Sequence, residues 1–224
     1  MKKTLCSLVC LGALSLNADV LLGIDVSAYK PKVESGYKAS SLGSFNTALG
    51  LEINIENFQL SEESGFANAL KLGVHGYSID TSDADDSGPS VIKGSVEYVA
   101  GYGFNLSSDN ITQGVNILAG GGLNSFSSSG STNDSSENFI IAKVGASYYG
   151  IYNNYFLNAE AFVKKYFDSD KKLDKTVELQ TNMKLGYKFS PTNSGSMIGI
   201  KLGYEKDILN ENGFNYGLFY GYMF

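Results

Sequence analysis

The chain has few of the residues on which several protein classes depend. Its 17 basic residues are all lysine, it contains only 3 prolines and 1 histidine, and both of its 2 cysteines lie within the first ten positions. A formal net charge of −6 without arginine argues against nucleic-acid binding, which needs basic patches. Two cysteines cannot form a disulfide scaffold. After residue 18, no apolar run reaches the ~20 residues that a transmembrane helix requires.

The start of the chain has the pattern of a secretory signal peptide. Two lysines precede an apolar stretch, and the small residue Ala18 stands before a polar break. Two alternatives are a buried N-terminal helix and a lipoprotein signal at Cys10. The break after Ala18 favours cleavage, and the bulky Val9 fits a lipidation site poorly. We therefore predict a signal peptide at 1–18 and a single domain at 19–224 that contains no cysteine.

The rest of the chain alternates between apolar and polar residues with a period of two, which is typical of strands with two different faces. Ten such segments are visible: 20–29, 45–57, 66–77, 91–104, 111–123, 139–149, 155–166, 176–189, 198–205 and 214–224. Most are about ten residues long, and a tilted strand needs about 9–11 residues to cross a bilayer. We predict an all-β, up-and-down antiparallel transmembrane barrel, with ten strands favoured over eight.

The connections between these segments alternate in character. The first, third and fifth, at 30–44, 78–90 and 124–138, are long and rich in Ser, Gly and Asp. The intervening connections are shorter, as in 58–65 and 105–110. This rhythm predicts long loops at one end of an up-and-down sheet and short turns at the other.

Charged residues of both signs lie in the middle of the polar faces, interleaved with glycine. Such a face suits a narrow, hydrated interior in which opposite charges pair. The predicted lumen charges are Glu52, Lys71, Lys93, Glu97, Lys143, Glu160, Lys184, Lys201 and Glu205. Ten strands enclose little space, so side chains can fill the lumen. We expect paired charges to block free flow and to permit at most a small conductance.

Aromatic residues on the apolar faces lie near strand ends. If odd strands run outward and even strands return, eight of them share one rim, as expected of rings at a bilayer interface. They are Tyr102, Phe104, Tyr148, Tyr155, Tyr187, Phe189, Tyr222 and Phe224.

The signal peptide, the amphipathic strands and the last five residues together resemble the small outer-membrane β-barrel proteins of Gram-negative bacteria. These include the OmpA-type transmembrane domain, OmpX and the opacity proteins. Tyr220, Tyr222 and Phe224 resemble the signal by which the barrel-assembly machinery recognises its clients. Position 219 departs from that signal, which often has Gly where this chain has Phe219. The resemblance concerns architecture across the whole mature chain rather than specific residues.

Candidate catalytic and metal-binding residues are few. His75 lies on a polar face, and a histidine near an acidic group can activate water or a serine. No second constellation completes a site, so we expect an ordinary lumen or loop histidine. The acidic segment 80–86 lacks the spacing of a calcium loop. The run 120–122 is followed by no helix, as a phosphate-binding loop requires, and indicates strand flexibility near a rim. We predict no catalytic, metal or cofactor site.

These features favour a non-enzymatic outer-membrane barrel with a structural, surface-contact or weak pore role. Its expected partners are outer-membrane lipid and lipopolysaccharide, the barrel-assembly machinery, and a surface ligand at the three long loops. One alternative is an outer-membrane hydrolase that uses His75 at the extracellular rim. Another is a soluble, secreted barrel that carries an apolar ligand, in which the apolar faces would point inward.

Overall fold

The computed structural model describes residues 19–29, 45–58, 64–79, 90–129, 135–167, 177–190, 194–205 and 213–224. The predicted signal peptide at 1–18 lies outside the described residues and stays a prediction. The whole of the predicted loop 30–44, and the acidic segment 80–86, also lie outside them.

The described residues form ten antiparallel strands that close into one barrel. The strands are β1 (Asp19–Tyr29), β2 (Phe45–Phe58), β3 (Gly65–Ile79), β4 (Ser90–Asn105), β5 (Thr112–Ser129), β6 (Ser135–Tyr152), β7 (Tyr155–Phe167), β8 (Val177–Lys188), β9 (Gly195–Glu205) and β10 (Phe214–Met223). Each strand pairs with its neighbours in sequence, and this confirms the predicted up-and-down topology with ten strands. Among the described residues, no helix is long and apolar enough to cross a membrane.

The first and last strands close the barrel. β1 and β10 pair in a continuous register from Leu21 opposite Met223 to Ala28 opposite Tyr216. The amide of Phe224 extends this seam by donating a hydrogen bond to the carbonyl oxygen of Val20, at 3.0 Å. Closure matters because an unpaired sheet edge cannot lie in hydrocarbon, where its N–H and C=O groups would find no partner.

The two ends of the barrel differ. Within the described residues, β6 and β7 are joined at one end by a two-residue turn, in which Asn153 has a φ of 52°. Asparagine is one of the few residues that adopt this left-handed conformation readily. Asp19 and Phe224 lie at the same end, where strands are joined by six residues or fewer, whereas four of the five connections at the other end have eight residues or more. Because outer-membrane barrels have short periplasmic turns and longer extracellular loops, we assign the end with the short turns to the periplasm.

The barrel wall is taller on one side. β5 and β6 have 18 residues each, whereas β10 has 10. The prediction of a loop at 124–138 is therefore wrong, because β5 continues to Ser129 and β6 begins at Ser135. The two strands remain paired up to Ser128 opposite Ser135.

The physical reason for this error is a change of polarity at the upper boundary of the apolar belt. Below it, Leu123 and Ile140 point outward and are 57% and 59% exposed. Above it, Ser125 points outward, while Phe126 and Phe139 point into the lumen and are buried. A rule that places apolar residues outside fails here because the outer face is in water.

The glycines at 120–122 lie in the middle of β5, so the prediction that they mark a rim is wrong. A Cβ atom at Gly120 would lie 2.1 Å from the carbonyl oxygen of Tyr98, and one at Gly121 would lie 2.2 Å from that of Ile141. Only residues without a side chain permit this approach of β5 to both neighbouring strands.

Candidate functional site

The lumen is the site at which the chain concentrates its charged side chains. All nine predicted lumen charges have inward-facing positions. Seven of them are buried, and these are Lys71, Lys93, Glu97, Lys143, Glu160, Lys184 and Lys201. Glu52 and Glu205 are part-buried, with side chains 18% and 21% exposed.

Four further buried charges were absent from the predicted set. They are Asp25, Glu56, Lys164 and Lys188. Their signal was present in the sequence, since each occupies a position with the parity of the polar face of its strand. The choice of mid-strand residues missed Glu56, Lys164 and Lys188, which lie nearer the ends of their strands, and it also left out Asp25 in the middle of β1.

A continuous network of ion pairs joins four strands on one side of the lumen. Lys201 contacts Asp25 at 2.9 Å and Glu52 at 3.0 Å. Lys184 contacts the same carboxylate of Asp25 at 3.3 Å, and Glu56 at 3.1 Å. Asp25 also accepts a hydrogen bond of 2.9 Å from the side-chain amide of Asn54. β1 and β2 supply the carboxylates, and β8 and β9 supply the lysines.

Three further ion pairs connect strands that are not neighbours in the wall. Lys71 of β3 pairs with Glu160 of β7, across the lumen. The other two pairs are Lys143–Glu97 and Lys164–Glu205, each with N···O distances of 2.5 Å. The Lys71–Glu160 pair joins opposite walls of the lumen, whereas each of the other two pairs spans one intervening strand.

Burial makes these pairs interdependent. A buried charge is costly unless a partner of opposite sign compensates it, and removal of one partner leaves that cost uncompensated. The paired arrangement also cancels much of the field that would attract either cations or anions into the lumen. The geometry suits a closed interior better than an ion pathway.

An apolar cluster fills the periplasmic end of the lumen, and we call it the floor. Its members are Leu21, Tyr149, Ile151, Phe156, Met197, Phe219 and Met223. The rings of Phe156 and Phe219 meet edge to face at 6.1 Å. The ring of Phe219 lies over Gly186 and Gly199, where a Cβ would meet it at 2.6 Å. The residue that departs from the assembly signal thus serves to close the lumen.

Aromatic side chains of β5, β6 and β7 also pack together at the extracellular end of the lumen, and we call them the cap. Phe126 meets Phe139 edge to face at 5.5 Å, and Phe139 meets Tyr166 at 6.5 Å. The ammonium of Lys93 lies 6.0 Å from the ring of Phe126, and that of Lys164 lies 4.8 Å from the ring of Tyr166. Such cation–π contacts stabilise lysines that point towards the cap.

His75 lies on the lumen face of β3, close to the extracellular end of that strand. Its ring is 6.0 Å from the ring of Tyr29 and lines a small polar recess with Ser27, Glu52 and Lys93. The aspartates of the acidic segment 80–86 lie outside the described residues. Among the residues that are described, no group of three or more His, Cys, Asp or Glu side chains is arranged to hold a metal ion.

The outer surface of the barrel carries a continuous apolar belt. Outward residues at mid-strand are 38–62% exposed in β1 and β2, and examples are Ile24, Leu51 and Ile53. A soluble barrel would bury such side chains, so the alternative of a soluble ligand carrier is wrong. Rows of exposed aliphatic residues over a closed barrel are the lipid-facing surface that a bilayer requires.

Aromatic rings border this belt at the periplasmic end, as predicted. Neighbouring rings meet edge to face, as in Tyr102–Phe104 at 5.1 Å and Tyr222–Phe224 at 4.8 Å. Of the predicted assembly signal, Tyr220, Tyr222 and Phe224 all face outward and are 50%, 40% and 63% exposed.

The architecture is that of an outer-membrane β-barrel protein. Solved structures of such proteins are similar to this chain in fold. Ail, the attachment invasion locus protein of Yersinia pestis, in complex with the heparin analogue sucrose octasulfate, is 13% identical. The alignment covers 93% of this chain and 100% of that chain, with a TM-score of 0.43.

Two other solved structures are similar at the same level. The translocator domain of the autotransporter NalP from Neisseria meningitidis is 13% identical, with 100% of this chain and 94% of that chain covered and a TM-score of 0.37. Outer membrane phospholipase A from Escherichia coli is 10% identical, with 92% and 89% covered and a TM-score of 0.40. Similarity this low carries no functional argument. No protein-family model and no curated protein matches the chain.

Proposed function

We propose that the protein is a non-enzymatic outer-membrane barrel with a closed lumen, which holds extracellular segments in place for surface contact. The filling of the lumen carries this proposal. An ion pair crosses the interior between β3 and β7, the floor closes the periplasmic end, and the cap packs at the extracellular end. A barrel filled in this way has no use as a general porin.

Planar-bilayer recordings of the refolded protein test the closed lumen. We expect only small, rare conductance steps from the wild-type protein. Conductance steps on the scale of an open porin would overturn the proposal. A variant with Phe219→Ala and Met197→Ala provides a positive control, since it removes two buried side chains of the floor.

The extracellular side supplies the surface for contact. β5 and β6 extend above the apolar belt and present Ser125, Ser127 and Asn138 to water. The predicted loops 30–44 and 78–90 connect strands at the same end. Lipopolysaccharide around the barrel and the barrel-assembly machinery at the C-terminal strand complete the proposed set of partners.

Shortening the hairpin tests the contact role. We expect a variant that lacks residues 127–136 to keep the heat-modifiable migration of a folded barrel on gels and to lose adhesion of expressing bacteria to host-cell or matrix surfaces. A matched variant with serine-to-alanine changes at 125 and 127 retains the hairpin length. A further variant combines the shortened hairpin with replacement of the loops 30–44 and 78–90. If bacteria that express it adhere as well as those with the wild-type protein, a contact role is contradicted.

His75 provides the test of the non-enzymatic part of the proposal. Its ring lies beside Ser27 in the lumen, and both side chains face Gly50. A Cβ atom at Gly50 would be 2.5 Å from Nδ1 of His75 and 2.8 Å from Oγ of Ser27. We expect His75→Ala to fold, and neither protein to hydrolyse phospholipid, peptide or acyl-ester substrates. An activity that is present in the wild-type protein and lost in this variant would establish the hydrolase instead.

A further inference from the structure

A recess of about 540 Å³ opens on the outer surface of the barrel, in the periplasmic half of the apolar belt. It runs over β6–β9, and its walls are almost entirely apolar. The side chains that shape it are Tyr148, Leu157, Leu185, Tyr187, Ile198 and Ile200. We call it the wall groove.

Local contacts hold the wall groove open. Tyr148 donates a hydrogen bond of 3.0 Å to the side-chain oxygen of Gln113, which draws its ring towards β5. The same ring lies over Gly150, where a Cβ would be 2.7 Å from the tyrosine hydroxyl. Two successive outward positions of β6 therefore leave the groove open, because Gly150 has no side chain and the ring of Tyr148 is held towards β5.

The opposite wall of the groove is also fixed. Tyr187 meets Tyr155 edge to face at 5.8 Å and meets Phe189 at 5.8 Å. These rings belong to the periplasmic girdle, so the groove begins at the membrane interface and extends towards the bilayer centre along Leu185 and Ile200.

We propose that the wall groove is a binding site for one acyl chain of a phospholipid from the periplasmic leaflet. The groove is continuous with the lipid-facing belt, so the molecules that reach it are membrane lipids. A second barrel presents a convex wall, which cannot enter a concave recess of this shape. Tyrosine hydroxyls at the periplasmic opening suit the ester and phosphate groups that accompany an acyl chain at the interface.

The preference of the groove for a chain arises from fit rather than from hydrophobicity. Lipid tails are as apolar as leucine, so an acyl chain gains little hydrophobic free energy when it moves from the bilayer into the groove. A chain in the groove contacts walls on several sides, whereas a chain on the convex belt contacts protein on one side only. The added dispersion contacts, each small, accumulate along the chain.

Two matched substitutions on one strand test this proposal. Ile200→Trp fills the groove, whereas Leu202→Trp places the same ring on the same face of β9, two residues away and outside the groove. The natural chain has no tryptophan, so the emission of each single indole reports folding and a lipid environment.

The probe is 1-palmitoyl-2-oleoyl-phosphatidylethanolamine, added to refolded, detergent-solubilised protein and detected as retained lipid by native mass spectrometry. We expect one lipid to be retained by the wild-type protein and by Leu202→Trp, and retention to fall about tenfold in Ile200→Trp. Equal retention by all three proteins would overturn the site. Retention of lipid A in preference to the phospholipid, or of a second barrel in place of lipid, would overturn the proposed occupant.

Discussion

Breaking the Lys143–Glu97 ion pair tests whether the lumen charges stabilise the barrel as pairs. The two side chains are 1% and 8% exposed, and their charged atoms are 2.5 Å apart. A charge left alone at this position cannot regain the water that it has in the unfolded chain. Loss of one partner from a buried pair costs about 3–5 kcal/mol.

The two single variants should differ because Lys143 has a second stabilising contact. Its ammonium lies 4.7 Å from the ring centre of Phe162, and a desolvated cation–π contact contributes about 2 kcal/mol. Glu97→Gln keeps this contact, so we expect a loss near 3 kcal/mol, at the lower end of the range. Lys143→Met removes the contact and isolates a carboxylate, so we expect a loss near 5 kcal/mol.

Denaturant unfolding from lipid vesicles, followed by circular dichroism and by gel migration, measures both free energies. The double variant should be less destabilised than the sum of the single variants by about 2–3 kcal/mol, the coupling expected of contacting residues. If the two losses simply add, the pair does not act as a pair and the reasoning is refuted.

Three other substitutions give separable results. Phe219→Ala should cost about 3–5 kcal/mol in unfolding free energy and increase conductance; a stable and silent variant would show that the floor does not seal the lumen. Gly199→Val should abolish the heat-modifiable gel migration of a folded barrel, because a Cβ at that position would lie 2.0 Å from a backbone oxygen. Gly94→Ala should keep this migration, because a Cβ there meets nothing within 4 Å. Equal migration of the two variants would contradict the strand spacing. Deletion of Phe224 should slow assembly in cells but leave refolding in vitro intact, and a defect in both assays would indicate a structural role instead.

The alternation in the sequence was sufficient to predict the barrel and its ten strands. A bilayer imposes one rule on every lipid-facing residue, so faces such as Leu22, Ile24 and Val26 of β1 carry a strong signal. Closure follows from the requirement to pair the edges, and needs no further information from the chain.

The interior was less predictable, because no single rule governs a lumen. Charges, aromatic rings and glycines all have inward positions, and which of them meet depends on the register between strands. Lys71 and Glu160 are 89 positions apart, and nothing local indicates their contact. The floor was missed because its residues, such as Tyr149 and Phe219, stand beside outward apolar residues and obscure the alternation.

The wall groove could not be predicted either. It depends on the direction in which Tyr148 turns, and that direction is set by a hydrogen bond to Gln113 on another strand. The sequence shows two tyrosines and a glycine near a turn, which is an ordinary composition for a membrane interface.

The unequal height of the wall gives this barrel a sloping mouth. Ile140 is the last residue of β6 that pairs with β7, opposite Phe167. β6 runs for five further residues, 135–139, which is about 16 Å along the strand. The described ends of β5 and β6 thus stand above the described end of β7, while these two strands stay paired with each other up to Ser128 opposite Ser135. Foreign peptides inserted there would be displayed at a distance from the bilayer, and their removal would leave the closed cylinder below undisturbed.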